Sequence, residues 1–311
     1  MATKTKRSRP KGRQMQIPKQ RAAPPQRPWW LYAGGVAGAV ALAVALALTV
    51  FHGGGSTGRE ESAGLPETPD YHSLLVNPSN SQKLMLGTHV GLYASSDGGR
   101  HWRFDALSGD DAMNLARPAG ATLWLAGHQV FKKSSDGGAT WSDVPPAGLP
   151  SLDIHGFAVD PRNPKVLYAA VAGEGLYRSR DGGRSFALAS DQVGGNVMAL
   201  AVVPDGRILA GDMQQGLLQS SDGGASWKQI LRAQLMGLAV NPSDPKRLLA
   251  AGAGIALSTD GGRSWRSVLD LPDGVGPVAW SGSDPNLAYA VAFNRTLYRS
   301  GDGGKSWSAV G

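Results

Sequence analysis

An eight-residue phrase, S-x-D-G-G-x-x-W, occurs six times in the chain and constrains the fold more than any other feature. Only the third copy departs from it, with Phe186 in place of the final Trp. The aspartates of successive copies are 38 to 45 residues apart. A period between about 20 and 50 residues is the signature of a repeat architecture, in which each repeat is one supersecondary unit.

Each repeat predicts four short antiparallel strands. In the third unit, apolar segments between Asp-Pro, Asn-Pro, Gly and Asp-Gly-Gly turns predict strands at 157–159, 165–171, 175–179 and 185–189. The 43 glycines and 20 prolines suit many short strands joined by tight turns. We therefore predict an all-β fold, a six-bladed β-propeller with four-stranded antiparallel blades over residues 66–311. The units share no strand, so closure of the ring should rest on packing between blades.

The N-terminal part predicts a membrane anchor. Residues 1–28 contain nine basic residues and no acidic residue, which predicts a cytoplasmic tail. Residues 29–51 carry no charge and would span about 34 Å as a helix, so we predict a transmembrane signal anchor with the C-terminal part outside the cytoplasm. A cleaved signal peptide is the alternative, because small residues at 45–47 suit cleavage. Residues 52–65 predict a flexible stalk.

The charge balance and the cysteine count exclude several classes of protein. The net charge is +7, but the tail carries the excess, and the rest of the chain has 22 basic and 24 acidic residues. A nucleic-acid partner is therefore not predicted, since the excess positive charge lies in the N-terminal tail and not on the surface of the folded domain. The chain has no cysteine, so it has no disulfide, no thiolate metal site and no lipid-anchoring thiol.

The repeated phrase resembles the Asp-box, or BNR repeat, of sialidases, sortilin-type receptors, xyloglucan-cleaving propellers and photosystem II assembly-factor-like propellers. The segments 154–161 and 91–93 are typical of bacterial exported propellers of the photosystem II assembly-factor-like and sortilin-like group. This resemblance covers about residues 66–311. It implies a binding or assembly factor more than an enzyme, although one fold hosts many activities.

Six nearly identical copies at symmetric positions favour a structural role for the Asp-box. The Asp carboxylate and the Ser hydroxyl can bond to backbone N–H groups of the turn, and the two glycines allow positive φ. The aromatic residue can cover the hairpin and seat it on the blade. The residues assigned this structural role are Asp97, Asp136, Asp181, Asp222, Asp260 and Asp302, with Trp102, Trp141, Phe186, Trp227, Trp265 and Trp307.

A sialidase-like glycoside hydrolase is the alternative function that the resemblance suggests. The Arg-Ile-Pro phrase of sialidases is absent before the first box, and a Tyr–Glu pair would need Glu67 or Glu174, the two glutamates past the stalk. Other glycosidases use two carboxylates roughly 5–9.5 Å apart. The loop carboxylates that could form such a pair are Asp110, Asp111, Glu174 and Asp212.

Aligning the units on their Asp-boxes predicts a ligand face at one end of the propeller axis. The loops that lead into the first strand and those between the second and third strands meet there. These loops carry most of the histidines and methionines. The predicted ligand-face residues are His72, His89, His128, His155, Met113, Met198, Met213, Met236 and Asn294.

Two interpretations of this face stay open at the level of sequence. The methionines can fill irregular space around the axis while the histidines hydrogen-bond to loop backbone. Alternatively, thioether and imidazole groups suit copper(I), with His72, His155, Met198 and Met236 as ligands. We predict a membrane-anchored, extracytoplasmic propeller that binds a protein or cell-envelope ligand at this face. The hydrolase and the copper-binding propeller remain alternatives.

Overall fold

A computed structural model of the protein describes residues 61–118 and 120–311. These residues form 25 strands and no helix. It follows that this part of the chain has no helix long and apolar enough to cross a membrane. The predicted tail, the predicted transmembrane helix and residues 52–60 of the predicted stalk lie outside the described residues.

Six antiparallel sheets, one per repeat, make up the fold. The first three blades contain β1 (Glu61–Ala63), β2 (Ser73–Asn77), β3 (Asn80–Thr88), β4 (Gly91–Ser95) and β5 (His101–Ala106); β6 (Asn114–Ala116), β7 (Leu123–Gly127), β8 (Val130–Ser134) and β9 (Ser142–Asp143); and β10 (Ile154–Val159), β11 (Leu167–Val171), β12 (Gly175–Ser179) and β13 (Ala187–Ser190).

The last three blades have the same order of strands. They contain β14 (Val197–Val202), β15 (Ile208–Asp212), β16 (Gly216–Ser220) and β17 (Lys228–Leu231); β18 (Gly237–Val240), β19 (Leu248–Ala251), β20 (Gly254–Ser258) and β21 (Arg266–Asp270); and β22 (Val275–Trp280), β23 (Ala288–Ala292), β24 (Leu297–Ser300) and β25 (Ser308–Ala309). The predicted fold class, an all-β propeller with six four-stranded antiparallel blades, is confirmed.

Blade 1 has a fifth strand that the sequence did not predict. Strand β1 pairs antiparallel with the outer strand β5, with Glu61 opposite Arg103 and Ala63 opposite His101. These three residues fall within the predicted flexible stalk, residues 52–65, but their pairing with β5 makes them part of the blade. The outer edge of a sheet presents unpaired backbone N–H and C=O groups. An extended segment can hydrogen-bond to them through its own backbone, whatever its side chains.

Packing between blades 1 and 6 closes the ring. Strands β2 to β5 and strands β22 to β25 stay in separate sheets, so no strand is exchanged. One core cluster joins the two blades and contains Leu86 and Trp102 from blade 1 with Tyr289 and Leu297 from blade 6. The Tyr289 hydroxyl also donates a hydrogen bond to the Ser81 carbonyl at 3.3 Å. The ring is therefore held at this seam mainly by apolar burial.

The Asp-box turns share one set of hydrogen bonds. In blade 1, the Ser95 hydroxyl donates to Asp97 Oδ1 and accepts from the Gly99 N–H, both at 2.9 Å. The His101 N–H donates to the same Asp97 oxygen at 3.0 Å. The Ser-to-Asp bond recurs in all six boxes at 2.7–2.9 Å. The second glycine, Gly99, has φ of +90°, a backbone conformation that is unfavourable for residues with a side chain.

The aromatic residue of each box does more than cover its own hairpin. Trp102 packs in the cluster with blade 6, Trp141 packs against the cluster that contains Leu92 of blade 1, and Phe186 packs with Trp124 of blade 2. Each of these residues therefore lies at the seam with the preceding blade. The aromatic residue of the box, predicted to seat the hairpin on its own blade, therefore also joins neighbouring blades.

The Asp-boxes are expected to make the fold sensitive to acid. Hydrogen bonds from Thr140, Ser226 and Ser264 lower the pKa of Asp136, Asp222 and Asp260 from 3.8 to about 2. A carboxyl group whose pKa is lower in the folded state stabilises the fold above its unfolded pKa, and this contribution is lost as the pH falls through the folded pKa. We expect the melting temperature to be level above about pH 5 and to fall steeply between about pH 4 and pH 2.

Circular dichroism melts between pH 7 and pH 2 measure this dependence. The Asp136→Asn variant is the matched control, because it keeps an oxygen acceptor in the turn but removes one titrating group. Its melting temperature should depend less steeply on pH than that of the parent protein. A melting temperature that stays constant down to pH 2 would contradict the expected role of the boxes.

Candidate functional site

A small pocket lies on the propeller axis, where the first strands of the blades meet. Its volume is about 100 Å³, and every blade contributes to its wall. One lining residue from each blade, in chain order, is His72, Met113, Phe157, Met198, Met236 and Pro277. We call this the axial pocket. The three methionines give it a flexible, polarizable wall that can adapt to more than one shape.

Four histidines form a row beside the axial pocket. The ring centroids of His72 and His89 are 4.1 Å apart, those of His89 and His128 are 6.1 Å apart, and those of His128 and His155 are 5.1 Å apart. Carboxylates alternate with these rings. They are Asp70, Asp111 and Asp153. We call these seven residues the His–Asp row, and it crosses blades 1, 2 and 3 at one end of the ring.

Asp111 lies at the centre of the row. Its Oδ2 accepts hydrogen bonds from His89 Nδ1 at 2.9 Å and from His128 Nδ1 at 2.5 Å. His89 and His128 follow the second strands of blades 1 and 2, so the turns after β3 and β7 hold both rings against the segment that leads into β6. Gly127 makes this approach possible, since a Cβ there would lie 2.0 Å from the Asp111 carbonyl oxygen.

The groups of the row differ in protonation. Burial raises the pKa of Asp111, but the hydrogen bonds from His128 and His89 outweigh it and hold this pKa well below its usual range. The hydrogen bond to Asp111 raises the pKa of His89 and of His128. Burial, followed by the neighbouring His89, lowers the pKa of His72 to about 4. The row therefore combines an ionised carboxylate, a neutral, half-buried imidazole and two imidazoles that protonate more readily than usual.

The structure places the sequence-predicted ligand-face residues in three groups. Met113, Met198 and Met236 line the axial pocket, His89, His128 and His155 belong to the His–Asp row, and His72 belongs to both. Met213 and Asn294 belong to neither group. Asn294 is exposed, and its Oδ1 accepts a hydrogen bond from the Thr296 N–H at 3.2 Å. Met213 is half-buried, and its N–H donates to the Asn196 carbonyl at 3.0 Å.

The four residues predicted to bind copper are divided between two places. His72, Met198 and Met236 line the axial pocket. His155 instead has its Nε2 at 3.0 Å from Asp153 Oδ1 and at 3.0 Å from His128 Nε2. Its nearest polar partners are thus an imidazole and a carboxylate and not the thioethers that the copper hypothesis pairs with it.

The four carboxylates suggested for glycoside hydrolysis also have different surroundings. Asp111 accepts hydrogen bonds from two histidines, His89 and His128. Asp212 is only 2% exposed, and its Oδ1 accepts hydrogen bonds from the Gln214 and Gln215 N–H groups at 2.7 and 2.8 Å. Asp110 Oδ2 lies 3.4 Å from Lys132 Nζ. Glu174 is exposed in the turn between β11 and β12.

Two members of the row, Asp70 and Asp153, are not among the residues predicted from the sequence. Each lies two residues before a predicted ligand-face residue, in Asp70-Tyr71-His72 and Asp153-Ile154-His155. Asp111 has the same relation to Met113. The carboxylates thus occupy a repeated position two residues before the ligand-face residues, and this spacing is the sequence signal that predicts them.

A larger cavity, of about 590 Å³, lies at the other end of blades 4 and 5. Basic side chains line much of it, including Arg207, Lys228, Lys246 and Arg263. Arg207 donates to Gln219 Oε1 within blade 4 at 2.9 Å and to the Gly261 carbonyl of blade 5 at 2.6 Å. This cavity adjoins an Asp-box turn, and the loops that form the His–Asp row lie at the opposite end of the blades.

Solved structures with the same fold include GH74 enzymes and YCF48 proteins. The GH74 xyloglucanase from Xanthomonas campestris gives a TM-score of 0.57 at 21% identity, covering 81% of this chain and 47% of that chain. The structure of YCF48 bound to D1 peptide gives 0.52 at 19% identity, covering 82% and 84%. YCF48 from Cyanidioschyzon merolae gives 0.51 at 17% identity, covering 80% and 88%.

These identities show a shared fold and nothing finer. The chain spans about half the length of the GH74 enzymes that it matches. A comparison with curated protein sequences found no match. A family model, in contrast, matches residues 74–310, which is nearly the whole propeller. The chain therefore belongs to the family described as photosynthesis system II assembly factor YCF48.

Proposed function

We propose that this chain is a membrane-anchored binding or assembly propeller that holds a segment of a protein partner outside the cytoplasm. The segment would lie across the axial pocket and the His–Asp row. The proposal rests on one observation: the axial pocket and the His–Asp row lie side by side at one end of the ring. Their side chains come from separate repeats and have no common role in holding a blade together.

The chemistry of this face suits an extended polypeptide. The carboxylates and imidazoles of the row accept and donate hydrogen bonds, which a peptide backbone needs, and the methionines can pack against varied side chains. Val90, next to His89, is an exposed large hydrophobic residue at 38%. The related propeller YCF48 has been solved with a D1 peptide bound, which supports a protein partner for this family.

The hydrolase alternative receives less support. A glycosidase needs one carboxyl group that is protonated at working pH and a second that is ionised, both facing the sugar. The pKa of Asp111 is lowered, which does not suit a general acid. Asp212 is buried and bonded to two backbone N–H groups, so it is committed to its turn. The GH74 neighbours share the fold, but at 21% identity or less they carry no argument about activity.

A single-cysteine experiment tests the binding face and the location together, because the chain has no cysteine of its own. Val90→Cys places a thiol beside the row, and Leu188→Cys places one on the outer strand β13, where Leu188 is 55% exposed. Intact cells that carry either full-length variant are treated with a membrane-impermeant maleimide bearing a photoreactive group. We expect both variants to be labelled, and irradiation to give discrete protein adducts only with Val90→Cys.

The outcomes separate the two parts of the proposal. Failure to label either cysteine in intact cells, with labelling restored after lysis, would place the propeller in the cytoplasm. Labelling of both, followed by the same adducts from both positions, would mean that the axial face has no special affinity for a partner.

A further inference from the structure

Three polar atoms at the end of the His–Asp row form a nearly equilateral triangle. His128 Nε2 lies 3.0 Å from His155 Nε2, and Asp153 Oδ1 lies 3.0 Å from His155 Nε2 and 3.2 Å from His128 Nε2. Two imidazole nitrogens and one carboxylate oxygen therefore face a common centre. The proposed function makes no use of this geometry.

The size of the triangle matches the edges of a metal coordination shell. Zinc–nitrogen bonds of about 2.0–2.1 Å at tetrahedral angles separate two ligand atoms by roughly 3.3 Å, and right-angled coordination at the same bond lengths separates them by roughly 2.9 Å. The observed edges fall between these values. We propose that His128, Asp153 and His155 bind a divalent first-row transition-metal cation.

The backbone holds the three ligands in place. His128 and Asp153 face each other in an isolated antiparallel bridge between blades 2 and 3. The Ala172 N–H donates to the Asp153 carbonyl at 2.9 Å, and Ile154, between the two other ligands, is fully buried. Ligands held on paired backbone need little rearrangement to bind a metal, which favours a preformed site.

Asp111 orients one of the ligands from behind. His128 Nδ1 donates to Asp111 Oδ2 at 2.5 Å, so the lone pair of its Nε2 is left to face the triangle. A carboxylate behind a ligating histidine is the usual arrangement in metal proteins, where it fixes the ring and its tautomer. Asp111 is therefore a positioning residue for the site and not a ligand.

One atom of the triangle lacks a hydrogen-bond partner. Asp153 Oδ1 is itself buried and has no well-directed hydrogen bond, although both ring nitrogens lie within 3.2 Å of it. An unpaired buried carboxylate oxygen is costly, and a cation at the centre of the triangle would satisfy it.

The ligand set selects the class of metal. Imidazole nitrogen with carboxylate oxygen suits zinc, nickel, cobalt and copper(II), whereas magnesium and calcium prefer oxygen alone and copper(I) prefers thioethers and thiolates. The side chains of His128 and Asp153 are 41% and 43% exposed. Three protein ligands with one open side leave room for water in the remaining position.

Metal titration of the full-length protein tests the site. The protein is purified in detergent without a polyhistidine tag, stripped with a chelator, and titrated with Zn²⁺ by calorimetry and with Co²⁺ by visible absorption. We expect one equivalent of either ion to bind. Asp153→Asn and His155→Ala should each weaken binding at least about 100-fold, because each removes a direct ligand. Circular dichroism melts test whether both variants remain folded.

Three control variants make the result specific. His101→Ala removes a histidine that is paired with the Asp-box residue Asp97 outside the row, and it should leave binding unchanged. Met198→Leu should also leave it unchanged, since Met198 belongs to the axial pocket. His89→Ala should weaken binding less than about tenfold, because His89 hydrogen-bonds to the positioning residue Asp111 and to none of the three proposed ligands.

Some outcomes would overturn the proposal. The parent protein could fail to bind Zn²⁺ and Co²⁺, or could bind them equally well after Asp153→Asn. Binding that is lost in His89→Ala but kept in Asp153→Asn would place the metal instead between His89, Asp111 and His128. If Met198→Leu were the only variant to lose binding, the metal would bind in the axial pocket instead.

Discussion

Replacing Trp102 with alanine is expected to lower the free energy of unfolding by about 3–5 kcal/mol, the usual cost of removing a large buried aromatic side chain. Trp102 is 1% exposed and lies in the cluster that closes the ring between blades 1 and 6. For a domain of this size the melting temperature should fall by roughly 10 °C, as measured by circular dichroism or calorimetry.

Trp141→Ala is the matched control for this prediction. Trp141 occupies the same position in the Asp-box of blade 2 and makes the same bond to the carbonyl of its second glycine, at 3.0 Å compared with 2.9 Å for Trp102. It is only partly buried, so its removal should cost about half as much. Equal losses in the two variants would show that the hairpin bond, and not packing at the closing seam, determines the contribution of the box aromatic residue.

Tyr289→Ala is expected to cost a similar amount, about 3–5 kcal/mol, because it empties the other side of the same seam. Tyr289 is fully buried in β23 of blade 6 and packs with Trp102 and Leu86 of blade 1. Limited proteolysis should then cut the chain more readily near the seam between the two blades, since local opening requires less free energy.

Tyr289→Phe separates packing from hydrogen bonding at this position. The hydroxyl makes one long bond to the Ser81 carbonyl, at 3.3 Å, so its removal should cost no more than about 1 kcal/mol. The double variant Trp102→Ala with Tyr289→Ala should lose less than the sum of the single losses, because both side chains border one cluster. Fully additive losses would mean that the two residues do not stabilise the same seam.

The fold could be predicted from the sequence because its signal is local and repeated. Each Asp-Gly-Gly turn specifies a hairpin through contacts within eight residues, and six copies leave few architectures to choose from. In blade 3, the predicted strand at 175–179 agrees with β12, whereas β10 begins at Ile154, three residues before the predicted start. The early start of β10 depends on pairing with β11, which is a tertiary contact.

The candidate site could be predicted only in part. The alignment of repeats located the four histidines and the axial methionines, because equivalent positions in a symmetric ring meet around one axis. It also selected Asn294, at an equivalent position, and Met213, beside one, and neither residue belongs to the axial pocket or the His–Asp row. Sequence periodicity gives a residue's place in its repeat, but the direction of a loop side chain depends on its neighbours in adjacent blades.

The sequence by itself determined the repeat, the six blades, the hydrogen-bonded turns and the end of the ring where histidines and methionines gather. These features follow from short-range chemistry that each repeat contains in full. The tertiary structure alone decided that Glu61–Ala63 join blade 1, that the box aromatics seal the seams, and that Asp111 and Asp153 lie between histidines of different blades. Those contacts join residues from separate repeats, and their distances are set only when the ring closes.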